Sequence, residues 1–227
     1  MLSRISSSLV PVLGQLTVSH DDDAAALPAG CLAVANHTSL IDPGVVLAAL
    51  RRLGVEPVVL AAAGLWRIPV FGRMLEREGH IPVHRGTAHA ADALRVAASA
   101  LREGRQVLVY GEGRLPYRKD AAEAAPEVFR TGPARLALAT GAPVVPLGQA
   151  GARRITSGGV PKQLAGFLTS PVRRPRVHVH VGAPVWLPGD VTAATAAAHA
   201  AVTGAWRVAA GRLGEPAALA TPTALAA

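Results

Sequence analysis

His37 and Asp42 are separated by four residues within Ala35-Asn36-His37-Thr38-Ser39-Leu40-Ile41-Asp42-Pro43. An imidazole and a carboxylate on one short turn can form a general-base dyad. The carboxylate fixes the ring tautomer and stabilises the imidazolium, and the second ring nitrogen is left to take a proton from a hydroxyl. The stretch joins an apolar run, Cys31 to Ala35, which reads as a buried strand, to an apolar-periodic run from Val45 to Leu53, which reads as a helix. Asp42 followed by Pro43 suits an N-cap and a first helical residue, so the turn before them is short and stiff. The same residues also make an ordinary turn and helix cap, and spacing alone leaves both readings open.

Other chemistry-bearing residues fall at the ends of predicted strands. Arg85 closes Gly79-His80-Ile81-Pro82-Val83-His84-Arg85-Gly86, where a guanidinium can grip a phosphate monoester through two parallel hydrogen bonds. Glu112, Gly113 and Arg114 follow the strand from Arg105 to Tyr110. Glu112 can accept hydrogen bonds from a hydroxyl or orient an arginine, and Gly113 permits close backbone approach. Arg130 precedes a helix running through Thr140, whose N-terminal amides would add to its pull on an anion. No metal site is read. Asp21-Asp22-Asp23 is a solvated loop, and His80 and His84 stand roughly 13 Å apart on an extended strand. His178 and His180 share a strand face, but with no third ligand nearby that face is expected to be exposed.

In order along the chain, four of these segments resemble the motifs of the glycerolipid acyltransferase family. His37 to Asp42 is similar to the first motif, the segment ending at Arg85 to the second, Tyr110 to Leu115 to the third, and Pro143 to Pro146 to the fourth. The third match is partial: Gly111 stands in place of the family's proline, Arg114 in place of threonine, and Leu115 where arginine is common, so Arg114 or Arg118 would have to compensate. The resemblance implies transfer of a fatty acyl group from the thioester of acyl-CoA or an acyl carrier protein to the hydroxyl of a lysophospholipid such as 1-acylglycerol-3-phosphate. His37 would be the base and Asp42 its orienting partner, while Arg85, Glu112, Gly113, Arg114 and Arg130 would hold the polar head. A thioester is already activated, so neither a metal nor an organic cofactor is implied. Acceptors other than phospholipids, and a non-catalytic role in binding lipid or acyl carrier, stay open.

Composition sets the frame that must position these groups. With 227 residues and 50% hydrophobic content, the chain has material for one sizeable core. Alternating strand and helix patterns predict a single α/β domain, a central mixed β-sheet flanked by helices, over residues 14–213. Residues 1–13 would be an interfacial helix or a frayed terminus, and residues 214–227 a disordered tail. The balance of 23 Lys plus Arg against 15 Asp plus Glu favours anionic partners, and 4% aromatic content without an aromatic-basic stripe argues against nucleic acid. Cys31 is the one cysteine and lies in an apolar run, as expected of a buried thiol in a reducing compartment. No run of about 18 apolar residues appears, and Met1 to Leu13 lacks a leader's h-region and cleavage site. A cytoplasmic chain held peripherally on the anionic inner face of the plasma membrane is expected. Leu65, Trp66 and the basic stretch 150–174, read as irregular, are its candidate contacts. The loop from Lys119 to Phe129 is expected to be mobile.

Overall fold

The computed structural model describes residues 1–86, 90–115 and 120–216. Seven strands, β1 (Gln15–His20), β2 (Leu32–Ala35), β3 (Val58–Ala62), β4 (Ile81–Val83), β5 (Val107–Tyr110), β6 (Val144–Ala150) and β7 (Arg176–Val181), form one mixed sheet in the order β1-β7-β6-β2-β5-β3-β4. Among the described residues seven α-helices accompany them: α1 (Leu2–Leu13), α2 (Asp42–Arg52), α3 (Pro69–Arg77), α4 (Ala90–Arg102), α5 (Gly132–Thr140), α6 (Val160–Arg173) and α7 (Val191–Arg212). The tail beyond residue 216, and Arg118 with it among the expected site residues, lie outside the described residues.

Strand β2 is buried on both faces, which explains its unbroken apolar sequence. Leu32 and Val34 turn toward α4, α5 and α7, while Ala33 and Ala35 turn toward Val46, Leu47 and Leu50 of α2. On the α2 side, α1 packs beside α2 through Val10 and Leu13, so the first residues form a seated helix rather than a frayed end. Burial pushes the Cys31 thiol up to about 12, which leaves it inert.

Sheet polarity decides where chemistry can gather. Strands β6, β2, β5, β3 and β4 are mutually parallel, so their carboxyl ends share one edge. Loops at that edge are where ligands bind in open α/β sheets. Strand β7 runs antiparallel to β6, and the segment joining them therefore leaves and re-enters at this same edge.

Three sequence expectations change. Residues 150–174 are not irregular, because they contain the helix α6. His178 and His180 do not face solvent: both are buried. Strand β1 lies in register beside them, with Thr17 Oγ1 2.7 Å from His178 Nδ1 and Ser19 Oγ 2.9 Å from both His178 Nε2 and His180 Nδ1. Finally, the loop before Phe129 is anchored, with Glu123, Pro126 and Phe129 all buried.

Helix α7 lies directly on β6. A Cβ added at Gly148 would stand 2.0 Å from the Ala205 carbonyl carbon and 2.1 Å from the Trp206 nitrogen. Backbone cannot yield as a side-chain tip can, so Gly148→Ala should cost about 3 kcal/mol. Thermal unfolding followed by circular dichroism checks this; an unchanged midpoint would mean that α7 is not held against β6.

Candidate active site

Past Ala35 the chain must leave β2 without abandoning the pairing that fixes its direction. Asn36 achieves this with its side chain. Its Oδ1 accepts from Gln149 N at 2.8 Å and its Nδ2 donates to Gln149 O at 3.0 Å, so the amide acts as one further rung against β6. Both residues are wholly buried, where such groups require partners. His37 therefore emerges at the carboxyl edge of the sheet from a fixed point.

Asp42 then turns back onto this loop. Its Oδ2 lies 2.9 Å from His37 Nδ1, and it accepts hydrogen bonds from the backbone N–H groups of Thr38 and, at 2.8 Å, Ser39. The helix-cap expectation is thus corrected. Asp42 is itself the first residue of α2, Ile41 occupies the cap without a side-chain bond, and the carboxylate serves the preceding turn instead. Asp42 is fully buried while His37 keeps 14% exposure of its side chain. With Nδ1 occupied, Nε2 is the ring nitrogen available to a ligand in the pocket that His37 lines. The imidazole stacks on Tyr110, ring centroids 4.4 Å apart.

Glu112 lines the same pocket as His37. Its two oxygens lie 3.2 and 3.1 Å from the His37 backbone nitrogen, which donates to them, so the side chain also holds the histidine from below. It is 2% exposed, and burial pushes its carboxyl up to about 8. The backbone N–H groups of His37, Thr38 and Ser39 all serve acidic side chains. None of the three is free to stabilise an oxyanion.

The altered third motif has a steric reason. A Cβ at Gly111 would stand 2.3 Å from the Phe129 ring, so a proline there would displace Phe129. Arg130 N donates to Gly111 O at 2.9 Å, and the Arg130 side chain crosses Gly113, which adopts φ 66°. Arg130 therefore stands beside the segment that carries Glu112. Arg114 instead makes an exposed ion pair with Glu127 at 3.6 Å, a contact worth little in water. Arg85 is exposed in the turn after β4, three strands from His37 or roughly 14 Å across the sheet. The structure thus gathers His37, Asp42, Glu112, Gly113 and Arg130, and leaves Arg114 and Arg85 at the periphery.

Arg153, expected at a membrane surface, is 3% exposed and lines the pocket. Its Nη1 donates to Thr38 O at 3.0 Å and its Nε to Ala122 O at 3.0 Å, joining the histidine turn to the anchored loop that covers it. Ser39 Oγ donates to Thr156 O at 2.7 Å from the same direction. Neither contact had a sequence signal, because both partners lie more than a hundred residues away. Among the described residues no cluster of His, Cys, Asp or Glu could hold a metal ion.

Glu112 carries a pH signature. Between its ordinary value of 4.5 and about 8 the folded chain keeps a proton that the unfolded chain releases, so stability falls as pH rises through this window. Glu123, pushed by burial up to about 7, adds to the lower part of that slope. Glu112→Gln stays neutral and still accepts from His37 N. It should flatten the slope above pH 7 in chemical denaturation series, and an unchanged slope would mean that Glu112 is ionised throughout.

Residues 16–149, more than half of the chain, match the sequence profile of the family described as Acyltransferase. The fold is similar to the crystal structure of the 1-acyl-sn-glycerophosphate (LPA) acyltransferase PlsC from Thermotoga maritima, with a TM-score of 0.65 and 18% identity, covering 91% of this chain and 79% of that one. No curated protein matches. The His37 turn, the third-motif segment and β6 as far as Gln149 fall within the matched span, and the chain belongs to the acyltransferase family.

Proposed function

We propose that this chain transfers a fatty acyl group from acyl-CoA or an acyl carrier protein to the free hydroxyl of a lysophospholipid, of which 1-acylglycerol-3-phosphate is the best fit. The observation that carries this reading is the 2.9 Å contact between His37 Nδ1 and Asp42 Oδ2, within a family whose members move acyl groups. With Nδ1 protonated and facing Asp42, Nε2 takes the proton from the acceptor hydroxyl as its oxygen attacks the thioester carbonyl. Asp42 stabilises the imidazolium so formed. When the tetrahedral intermediate collapses, the C–S bond breaks and the departing thiolate takes the proton from Nε2. An enzyme nucleophile is unnecessary, since the thioester is already activated.

Acceptor recognition falls to cations at the same edge of the sheet. Arg130, beside Gly113 and without an ion pair among the described residues, suits a phosphate monoester. Arg85 would reach only the far end of a ligand lying along the sheet edge. The departures at Gly111, Arg114 and Leu115 favour keeping one further reading, transfer to an acceptor lacking the phosphate.

Release of free coenzyme A from a long-chain acyl-CoA, with lysophosphatidic acid and with monoacylglycerol as acceptors, tests both readings. His37→Ala should lower acceptor-dependent release by about 10² to 10⁴-fold. Arg130→Ala should raise KM for lysophosphatidic acid about tenfold and leave kcat nearly unchanged. Equal rates with both acceptors, indifferent to Arg130→Ala, would assign the enzyme to an uncharged acceptor. No release with any acyl donor or lysolipid would end the acyl-transfer reading.

A further inference from the structure

Tyr110 lies against the His37 ring and has no polar task of its own. It ends β5 in register with Ala35 of β2, and Gly111 N donates to Ala35 O at 3.0 Å, so the backbone under the ring is fixed. Both side chains belong to the core cluster on the α2 side of the sheet. Tyr110 is buried, and its hydroxyl makes no hydrogen bond among the described residues. What the side chain offers the site is therefore its ring face, centred 4.4 Å from the imidazole and tilted 30° to it.

A ring face in that place acts on the histidine in two opposing ways. It keeps water from one side of the imidazole, which penalises the imidazolium. Its quadrupole is negative over the face, which attracts the imidazolium within about 6 Å of the centroid. An aliphatic side chain of similar bulk would impose the first effect and supply nothing of the second. The other charges around the imidazole come from separate elements: Asp42 at Nδ1, Glu112 under the backbone nitrogen, and Glu127 and Arg153 lining the pocket. Burial keeps Glu112 protonated up to about 8 and the Tyr110 phenol protonated well beyond its ordinary range, so neither changes charge while an imidazole titrates.

We propose that Tyr110 is a positioning residue that acts through His37: its ring face seats the imidazole and shares the positive charge that the ring gains when Nε2 takes the proton of the acceptor hydroxyl. That charge is then held from two directions, by Asp42 at Nδ1 and by the Tyr110 face, until the proton passes to the departing thiolate. This role presupposes the acyl-transfer reading, whereas the ring contact itself is measured without turnover.

Proton NMR titration of the His37 Hε1 resonance, identified by its loss in His37→Ala, tests the contact in the full chain. Tyr110→Leu should move the midpoint of that titration to lower pH by about 0.5 to 1 pH unit, and Tyr110→Phe should restore it. Pentafluorophenylalanine at the same position keeps the shape of Phe and reverses the sign of its face. It should displace the midpoint as Leu does, and it decides the question if the Leu variant does not fold. In acyl-CoA assays the acid limb of kcat should follow the midpoint to lower pH while the plateau falls about threefold and KM stays nearly unchanged. A merely structural role would lower the plateau and leave the limb in place. Equal midpoints for Phe and its pentafluoro analogue, or a Phe variant displaced as far as the Leu variant, overturn the proposal. A displaced midpoint in a chain that releases no coenzyme A would instead sink the acyl-transfer reading, and the part of Tyr110 in it, while the ring contact stands.

Discussion

A single buried carboxylate oxygen organises the edge of this sheet. Asp42 Oδ2 collects the imidazole of His37 and the amides of Thr38 and Ser39, so the turn between strand and helix closes around one charge. A carboxylate removed from water is costly unless donors converge on it. Three do, and each is therefore fixed in place by the demand of the same oxygen. Orientation of the histidine and closure of the turn are one event.

The remaining contacts serve that geometry from outside. Asn36 extends the pairing of β2 past its last residue, Glu112 accepts from the His37 backbone, and Arg153 and Thr156 hold Thr38 and Ser39 from the β6 side. Each of these groups is buried, so each hydrogen bond lies where water competes poorly and its loss would leave an orphaned polar group. On the other side of the histidine turn, Arg130 crosses Gly113 and makes no ion pair among the described residues.

Local pattern carried the alternation of strands and helices, the buried strand before His37 and the spacing of the dyad, because each is written within a few neighbouring residues. Contacts that depend on chain reversal were not legible. Arg153 looked like a surface cation, since nothing near it in sequence announces that the Thr38 and Ala122 carbonyls await it. His178 and His180 looked exposed for the same reason: the hydroxyls that satisfy them come from β1, some 160 residues earlier. Asp42 was misread as a helix cap because a carboxylate before proline suits either use, and only the folded turn shows that its donors lie behind it. Gly111, a mere departure from the family pattern in sequence, is explained by the ring of Phe129.

The proposed acyl transfer depends on the protonation of one ring. Nitrogen-15 NMR of the His37 imidazole in the neutral form measures it directly, with Asp42→Asn beside the wild type. A proton on Nδ1 and a bare Nε2, with that preference lost in Asp42→Asn, is the predicted result. A proton on Nε2, or a ring whose tautomer ignores Asp42, would contradict the account, since the nitrogen facing the pocket could then accept nothing.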